Sequence, residues 1–467
     1  MIRGHSMSKK PTDGPRANWL LGVLPEFRHD ILGFLLDCTK KYGDIVRLPY
    51  GIAGDLIKRR RGASAYLLND PADVKHALVT NQSNYQRIWV PAAREVFGQG
   101  LLTSEDPLHL KHRRMMQPFF HHQRIEAYSQ IMTEKTEQLL KYWQEGSTVD
   151  VSKEMMQLTL AIVCKTLFGM DLTEEVRELA NVIAVGQHHI TLQYRSWVAL
   201  FTPRFMPTRR NRQFRRAGQQ LNQTIYGMIH ARRTKGDSPN DLMSMLLNAR
   251  DQDGSAMNDE QVRDEAMTLF LAGHDTTANA LAWAWYLLAQ HPDAESRLQA
   301  ELKETLGGRT PSFADVSRLV YTGMIFAETM RLYPPAYILV RTALHDDTLP
   351  SGVSIPAGTD IFMCQYVAHR NPRYFPNPER FDPERFNPAV KQNRPDYAYF
   401  PFGGGSRMCI GEPFAKMEGI LILAAIAQNF KLSLLPGQTI VPEPLVTLRP
   451  RNGILMRLSK HVEPSPA

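Results

Sequence analysis

Phe402-Gly403-Gly404-Gly405-Ser406-Arg407-Met408-Cys409-Ile410-Gly411 is a glycine-rich turn that runs straight into a helical pattern. A cysteine in that setting suits a metal-binding thiolate. Its charge is stabilised by Arg407 and by the open backbone N–H donors of a helix start, which lowers the thiol pKa. The glycines let the backbone pass close to a flat ligand, and Pro401 and Pro413 fence the segment. A lone loop cysteine is more often ordinary packing, but the offsets of Phe402, Gly405, Arg407, Cys409 and Gly411 point the other way.

The spacing Phe-x-x-Gly-x-Arg-x-Cys-x-Gly resembles the heme-binding loop of the cytochrome P-450 family, the heme-thiolate monooxygenases. The resemblance implies heme b (iron protoporphyrin IX) as cofactor and Cys409 as its metal ligand, a thiolate that pushes electron density toward oxygen. It also implies that Arg407 sits against a heme propionate, that Phe402 packs near the sulfur, and that Gly403 belongs to the cofactor-binding turn.

With 467 residues, 43% hydrophobic and 22% charged, the chain is globular and has material for a core enclosing a large apolar cofactor. No spacer, repeat or composition shift cuts it, so 11–467 is expected to be one domain behind a disordered or cloning-derived 1–10. Cys38, Cys164, Cys364 and Cys409 show no CxxC or disulfide-like spacing, which fits a reducing compartment. Met1 to Lys10 is polar and basic, and no window offers the ~18 apolar residues of a membrane span. A cytoplasmic, bacterial-type member without the anchor of membrane-bound relatives is expected. The net charge of +8 is partly clustered at 58–61 and 209–216. Such runs are usually solvated faces, and without interleaved aromatics they do not indicate nucleic acid. Docking of an acidic electron-transfer protein is the functional alternative.

Helical periodicity dominates, at Asp30–Tyr42, Arg124–Glu145, Lys153–Phe168, Arg210–Arg233, Asn240–Arg250 (with Asn240 as N-cap) and Glu412–Asn429. Alternation at Ile45–Tyr50 and Ala63–Asn69 predicts a β-hairpin around the basic turn, and short strands follow Pro350. The fold class is mainly α with a small β component. The resemblance implies the family's triangular fold, with heme between a long central helix and the cysteine loop.

That long helix opens at Asn258-Asp259-Glu260-Gln261, a capping-box pattern, and runs to Gln290 before His291-Pro292. At ~1.5 Å per residue it spans roughly 48 Å. In its middle, Ala272-Gly273-His274-Asp275-Thr276-Thr277 places poor helix formers in an otherwise apolar run. Local inconsistency of this kind marks function, or else threonines bonding back to the preceding turn. The stretch is similar to the family's signature on its oxygen-binding helix. That similarity implies that Ala272 and Gly273 leave room for dioxygen, that Thr276 is the hydroxyl beside the reacting oxygen, and that Asp275 relays protons. His274 occupies the variable position and receives no role.

Glu328-Thr329-Met330-Arg331 pairs a carboxylate and a guanidinium at i,i+3 on a helix ended by Pro334-Pro335. It resembles the family's Glu-x-x-Arg motif, and Arg385 in Phe381-Asp382-Pro383-Glu384-Arg385-Phe386 matches the third member of a structural charge network. His109 and Arg113, one helical turn apart, are similar to the family's propionate-binding His-x-x-x-Arg, with Arg114 as the alternative if the register differs by one. Arg341 matches a further propionate position.

The family's substrate contacts fall here at about 85–101, 188–207, around Phe270, 336–339 and 445–447. Trp89, Val90, Phe97, Trp197, Leu200, Phe201, Phe205, Ile338 and Leu339 make these segments apolar and favour a fatty acid, terpenoid or steroid-like substrate. Arg87 faces either a substrate carboxylate or solvent. The implied activity is monooxygenation, in which substrate RH, dioxygen, two electrons and two protons give ROH and water. The short stretch after the cysteine loop leaves no room for a fused reductase. Electrons are therefore expected from a separate ferredoxin or flavodoxin-type donor fed by an NAD(P)H-dependent reductase, with the enzyme a monomer. A peroxide-using or isomerising heme-thiolate enzyme is the enzymatic alternative, and a heme carrier or sensor the non-enzymatic one; neither needs the Asp275–Thr276 pair.

Overall fold

The computed structural model describes residues 13–59, 62–88, 91–171, 208–235, 241–390 and 393–460. Contacts divide the chain into two units, Met1–Ile88 with Ala336–Arg380 and Gln392–Cys409, and Trp89–Pro335 with Phe381–Lys391 and Ile410–Ala467.

The first unit is organised by a five-stranded sheet. Ile45–Pro49 and Ser64–Leu68 pair antiparallel, with Val46 opposite Leu67 and Leu48 opposite Ala65. All four of these side chains are buried, as period-two alternation requires. The predicted strands thus pair, but their connection is not a turn. Gly51–Lys58 forms a helix ended by Arg59 in the left-handed region at φ 48°. Asp55 on that helix accepts hydrogen bonds from the backbone of Gly62 (2.9 Å) and Ala63 (2.7 Å), returning the chain to the second strand. Strand alternation specifies which residues pair; it carries no information about a connection this long.

Asp360–Met363 adds parallel to Ser64–Leu68, Leu339–Ala343 pairs antiparallel with it, and Tyr85–Arg87 forms the far edge. Leu35 and Cys38 of the Ile31–Tyr42 helix pack under the strands with Val46, Leu48, Leu67 and Cys364. On the other side Leu68, Val74, Ile361 and Met363 enclose Phe400, whose backbone N–H donates to His369 Nε2 at 3.0 Å. This fixes the segment that enters the cysteine loop.

The second unit is helical. Asp259–Gln290 begins with a complete capping box, Gln261 N to Asn258 Oδ1 at 2.8 Å and Asn258 N to Gln261 Oε1 at 2.9 Å. It is buried around most of its circumference and packs against Val151–Phe168, where a Cβ on Gly273 would come within 2.9 Å of Val163 Cγ2. His122–Tyr142 ends three residues before the predicted Glu145, because Trp143 turns extended and its indole N–H donates to Glu154 at 3.0 Å. Leu242–Asn248 is capped by Asp241, which accepts from Ser244 N at 2.8 Å; Asn240 lies outside the described residues. Glu412–Asn429 matches its predicted bounds. Thr148–Asp150, Leu455–Lys460 and Phe430–Leu434 form a three-stranded antiparallel sheet, and Pro442–Pro444 pairs with Leu448–Pro450. No helix among the described residues is long and apolar enough to cross a membrane.

Candidate functional site

In the first unit the backbone N–H of Cys409 donates to Phe402 O at 2.9 Å and closes the cysteine loop. Gly403 and Gly405 adopt φ of +75° and +66°, which side-chain-bearing residues rarely tolerate. A Cβ at Gly405 would lie 2.0 Å from Leu78 O, so that approach admits only glycine. Ser406 donates to Gln82 Oε1 from both its N–H (2.9 Å) and its hydroxyl (3.0 Å). The loop is therefore clamped by residues 78 and 82, contacts that no sequence pattern announces.

Cys38, Cys164 and Cys364 are buried, and burial pushes their thiols up to about 11, about 12 and about 12. Cys409 is exposed. Of the four sulfurs it is the one available for ligation. The following helix starts at Glu412, with Gly411 as N-cap and Pro413 in the first turn, as the sequence suggests.

Arg341 is buried in its strand and donates to Val340 O at 2.8 Å. Directly opposite it in the antiparallel register stands half-buried Arg87, whose Nη2 reaches Arg407 O at 3.5 Å. Like charges facing across a ladder repel, so this placement suits an anion nearby. Expected from sequence at a substrate or in solvent, Arg87 is instead a candidate for the same anion as Arg341. An accessible sulfur, a close-packed glycine turn and the facing pair Arg87 and Arg341 fit a flat group that carries two propionates and a thiolate-binding iron.

In the second unit Ala272 is exposed and Gly273 and Thr276 are half-buried, while His274 and Asp275 between them and Thr277 after them are buried. One face of the long helix thus opens at the small residues. Thr276 Oγ1 donates to Ala272 O at 2.7 Å, so the back-bond expected of a mid-helix threonine is present; the oxygen's lone pairs face away from that bond. Asp275 Oδ2 accepts from Thr447 Oγ1 at 2.6 Å, and Asn279 Nδ2 joins Asp275 O (2.8 Å) to Thr447 Oγ1 (3.2 Å). Asn279 and Thr447 were not identifiable as partners from sequence, because the link joins the long helix to a loop far along the chain. His274 Nδ1 lies 2.8 Å from Phe270 O, one turn back on the same helix.

Glu328 and Arg331 are fully buried and doubly bonded, Nε to Oε2 at 2.7 Å and Nη2 to Oε1 at 2.8 Å. Asp382 N donates to Glu328 Oε1 at 2.9 Å and Arg385 Nε lies 3.4 Å from it, which assembles the expected trio. His109 is buried with Nδ1 3.3 Å from Asp106 Oδ1, and Arg113 is half-buried. Arg114 is exposed and committed to Asp251 through two bonds of 3.1 Å, which leaves Arg113 as the better propionate candidate. Phe97 and Phe270 are core residues, Ile338 and Leu339 are half-buried, and Trp89, Val90, Trp197, Leu200, Phe201 and Phe205 lie outside the described residues.

The family model described as cytochrome P-450 matches residues 12–457. The chain belongs to the cytochrome P-450 family. It is 37% identical to cyclooctatin synthase of Streptomyces melanosporofaciens over 85% of this chain and 86% of that protein. It is 36% identical to cyclooctat-9-en-7-ol 5-monooxygenase of the same organism (94% and 95%) and 32% identical to pentalenene oxygenase of Streptomyces avermitilis (87% and 90%). A crystal structure of the cytochrome P-450DA heme domain aligns with a TM-score of 0.85 at 25% identity, covering 96% of this chain and 97% of that one. This P-450 is accordingly a heme-dependent monooxygenase of mainly α fold that acts on an apolar substrate, with dioxygen and a redox partner as the family's co-reactants.

One buried acid of this P-450 escaped the sequence patterns. Glu418, on the helix after the cysteine loop, is fully buried, and desolvation pushes its carboxyl up to about 8, an effect the Thr277 hydroxyl offsets only in part. Its ordinary value is 4.5, so between about 4.5 and about 8 the unfolded chain ionises while the folded one stays neutral. From this group alone, stability falls by about 1.4 kcal/mol per pH unit across that window as pH rises. Glu418→Gln should flatten that slope and raise the urea midpoint at pH 8 more than at pH 5. Parallel pH profiles for the two proteins would mean that the carboxyl is already ionised inside the fold.

Proposed function

We propose that this P-450 hydroxylates a cyclic, hydrocarbon-rich terpenoid as a monomer, with Cys409 as the heme thiolate and electrons from a separate ferredoxin or flavodoxin-type protein served by an NAD(P)H-dependent reductase. The observation that carries the oxidative reading is the long helix itself. It opens at Ala272 and Gly273 beside half-buried Thr276, with a buried carboxylate, Asp275, next in the chain and held by Thr447. The substrate class rests on the cyclic alkene and alkenol named for two relatives and on the apolar residues of the substrate segments.

When bound, heme supplies activation of dioxygen. Arg87 and Arg341, opposite each other in the sheet register, would supply cations for its propionates, the role that the resemblance also gives to Arg407, His109 and Arg113. Gly403 and Gly405 keep the cysteine turn in the backbone conformation that presents the sulfur, and Phe402 O holds the Cys409 N–H. Asp275 Oδ2 accepts from Thr447 Oγ1; released from that bond and protonated from solvent, its carboxyl would relay that proton toward the open side of the helix where Thr276 stands. Exposed Arg209, Arg212, Arg215 and Arg216 offer an acidic electron donor a landing face.

The test combines substrate-induced spin-state change with turnover in a surrogate ferredoxin system, using cyclic terpene hydrocarbons. Thr276→Ala should keep NADPH consumption within a few-fold while product falls at least about tenfold and hydrogen peroxide takes up the difference. Unchanged coupling between NADPH and product would remove Thr276 from proton delivery. A screen in which only fatty acids shift the spin state would overturn the terpenoid assignment.

A further inference from the structure

The Gly51–Lys58 helix has its polarity inverted. Its one fully buried residue is Gly54, set against Tyr50 so closely that a Cβ would lie 2.0 Å from Tyr50 Cβ. Its large apolar side chains face outward instead, Ile52 46%, Leu56 75% and Ile57 53% exposed. The N–H groups of Ile52 and Ala53 donate to Trp19 O (3.1 Å) and Leu20 O (2.9 Å), which brings Trp19, 72% exposed, and Leu20, 40% exposed, to the start of the helix. A helix of a monomer in water turns its apolar face to the core. Here five large apolar side chains share one outer surface, and such patches mark interaction sites.

The flanks are basic. Arg59, which ends the helix, and Arg16, three residues before Trp19, are exposed, and the sequence before Asp13 carries Arg3, Lys9 and Lys10 with no carboxylate. Asp55, the helix's one acid, is occupied by the backbone of Gly62 and Ala63. A short helix with protruding Ile and Leu, an edge tryptophan and flanking arginines has the chemistry of an interfacial element that lies on an anionic bilayer. At eight residues it is far too short to span one.

We propose that Trp19, Leu20, Ile52, Leu56 and Ile57 form a docking surface for an anionic phospholipid membrane, with Arg16 and Arg59 at the headgroups. The surface lies within the first unit and is independent of which substrate the enzyme oxidises.

Heme-loaded full-length protein is floated with vesicles of phosphatidylcholine plus phosphatidylglycerol, and with phosphatidylcholine alone. Wild type should float with the anionic vesicles, several-fold less at high salt. A Leu56→Asp, Ile57→Asp double variant should lose at least about tenfold in partitioning. Its heme spectrum and Tm should stay unchanged, because both side chains are exposed. Arg59→Glu should weaken binding to the anionic vesicles and leave the apolar contacts intact. Three results would overturn the proposal: no flotation of wild type with anionic vesicles, equal flotation of wild type and double variant, or a lipid-free wild-type dimer that the double variant lacks, which would make the patch a self-association face.

Discussion

Arg331→Ala is expected to destabilise the folded protein by about 3–5 kcal/mol, a large share of the ~5–15 kcal/mol that typically separates folded from unfolded states. The reason is what the substitution leaves behind. Glu328 is fully buried, and desolvation pushes its carboxyl up; the largest opposing influence is Arg331, which donates two hydrogen bonds to it. Without the guanidinium, Asp382 N and Arg385 at 3.4 Å must hold the buried carboxylate alone. Arg331→Lys keeps a charge but cannot reproduce the forked pair, so it should fall between wild type and alanine. Urea denaturation of both variants measures this. A loss below about 1 kcal/mol for Arg331→Ala would show the trio to be peripheral to stability.

Cys409→Ala is expected to abolish the far-red Soret band of the reduced, carbon monoxide-bound protein and to reduce monooxygenase turnover to background. Thiolate ligation is what sets that band apart from a histidine-ligated heme. Cys364→Ala is the matching control. That thiol is buried, donates to Tyr337 O at 3.2 Å and is pushed up to about 12 by burial, so its removal should leave the spectrum unchanged. An unshifted Cys409→Ala spectrum would take the ligand role from Cys409. A shift lost in Cys364→Ala would reassign it.

The helix bounds show how far local pattern reaches. Glu412–Asn429 and the Asn258 box agree with their sequence signatures, because capping and 3.6-residue periodicity are properties of contiguous residues. Where a tertiary contact decides an end, the pattern overshoots, as at Trp143, whose indole leaves the helical path to reach Glu154. The strands Ile45–Pro49 and Ser64–Leu68 were legible by alternation, but the helix that joins them was not, since its outward Ile and Leu run against the usual amphipathic rule.

Among site residues, Cys409, Asp275, Thr276, Glu328 and Arg331 stand in short motifs whose offsets carry their meaning, and the sequence alone determined them as candidates. Gln82 on Ser406, Thr447 on Asp275, Arg87 opposite Arg341 and the burial of Glu418 were decided by tertiary structure only. Glutamine, threonine, arginine and glutamate are common on any surface. They gain a role here because sheet register and helix packing bring segments from distant parts of the chain within hydrogen-bond range, and that proximity is not encoded in any one stretch.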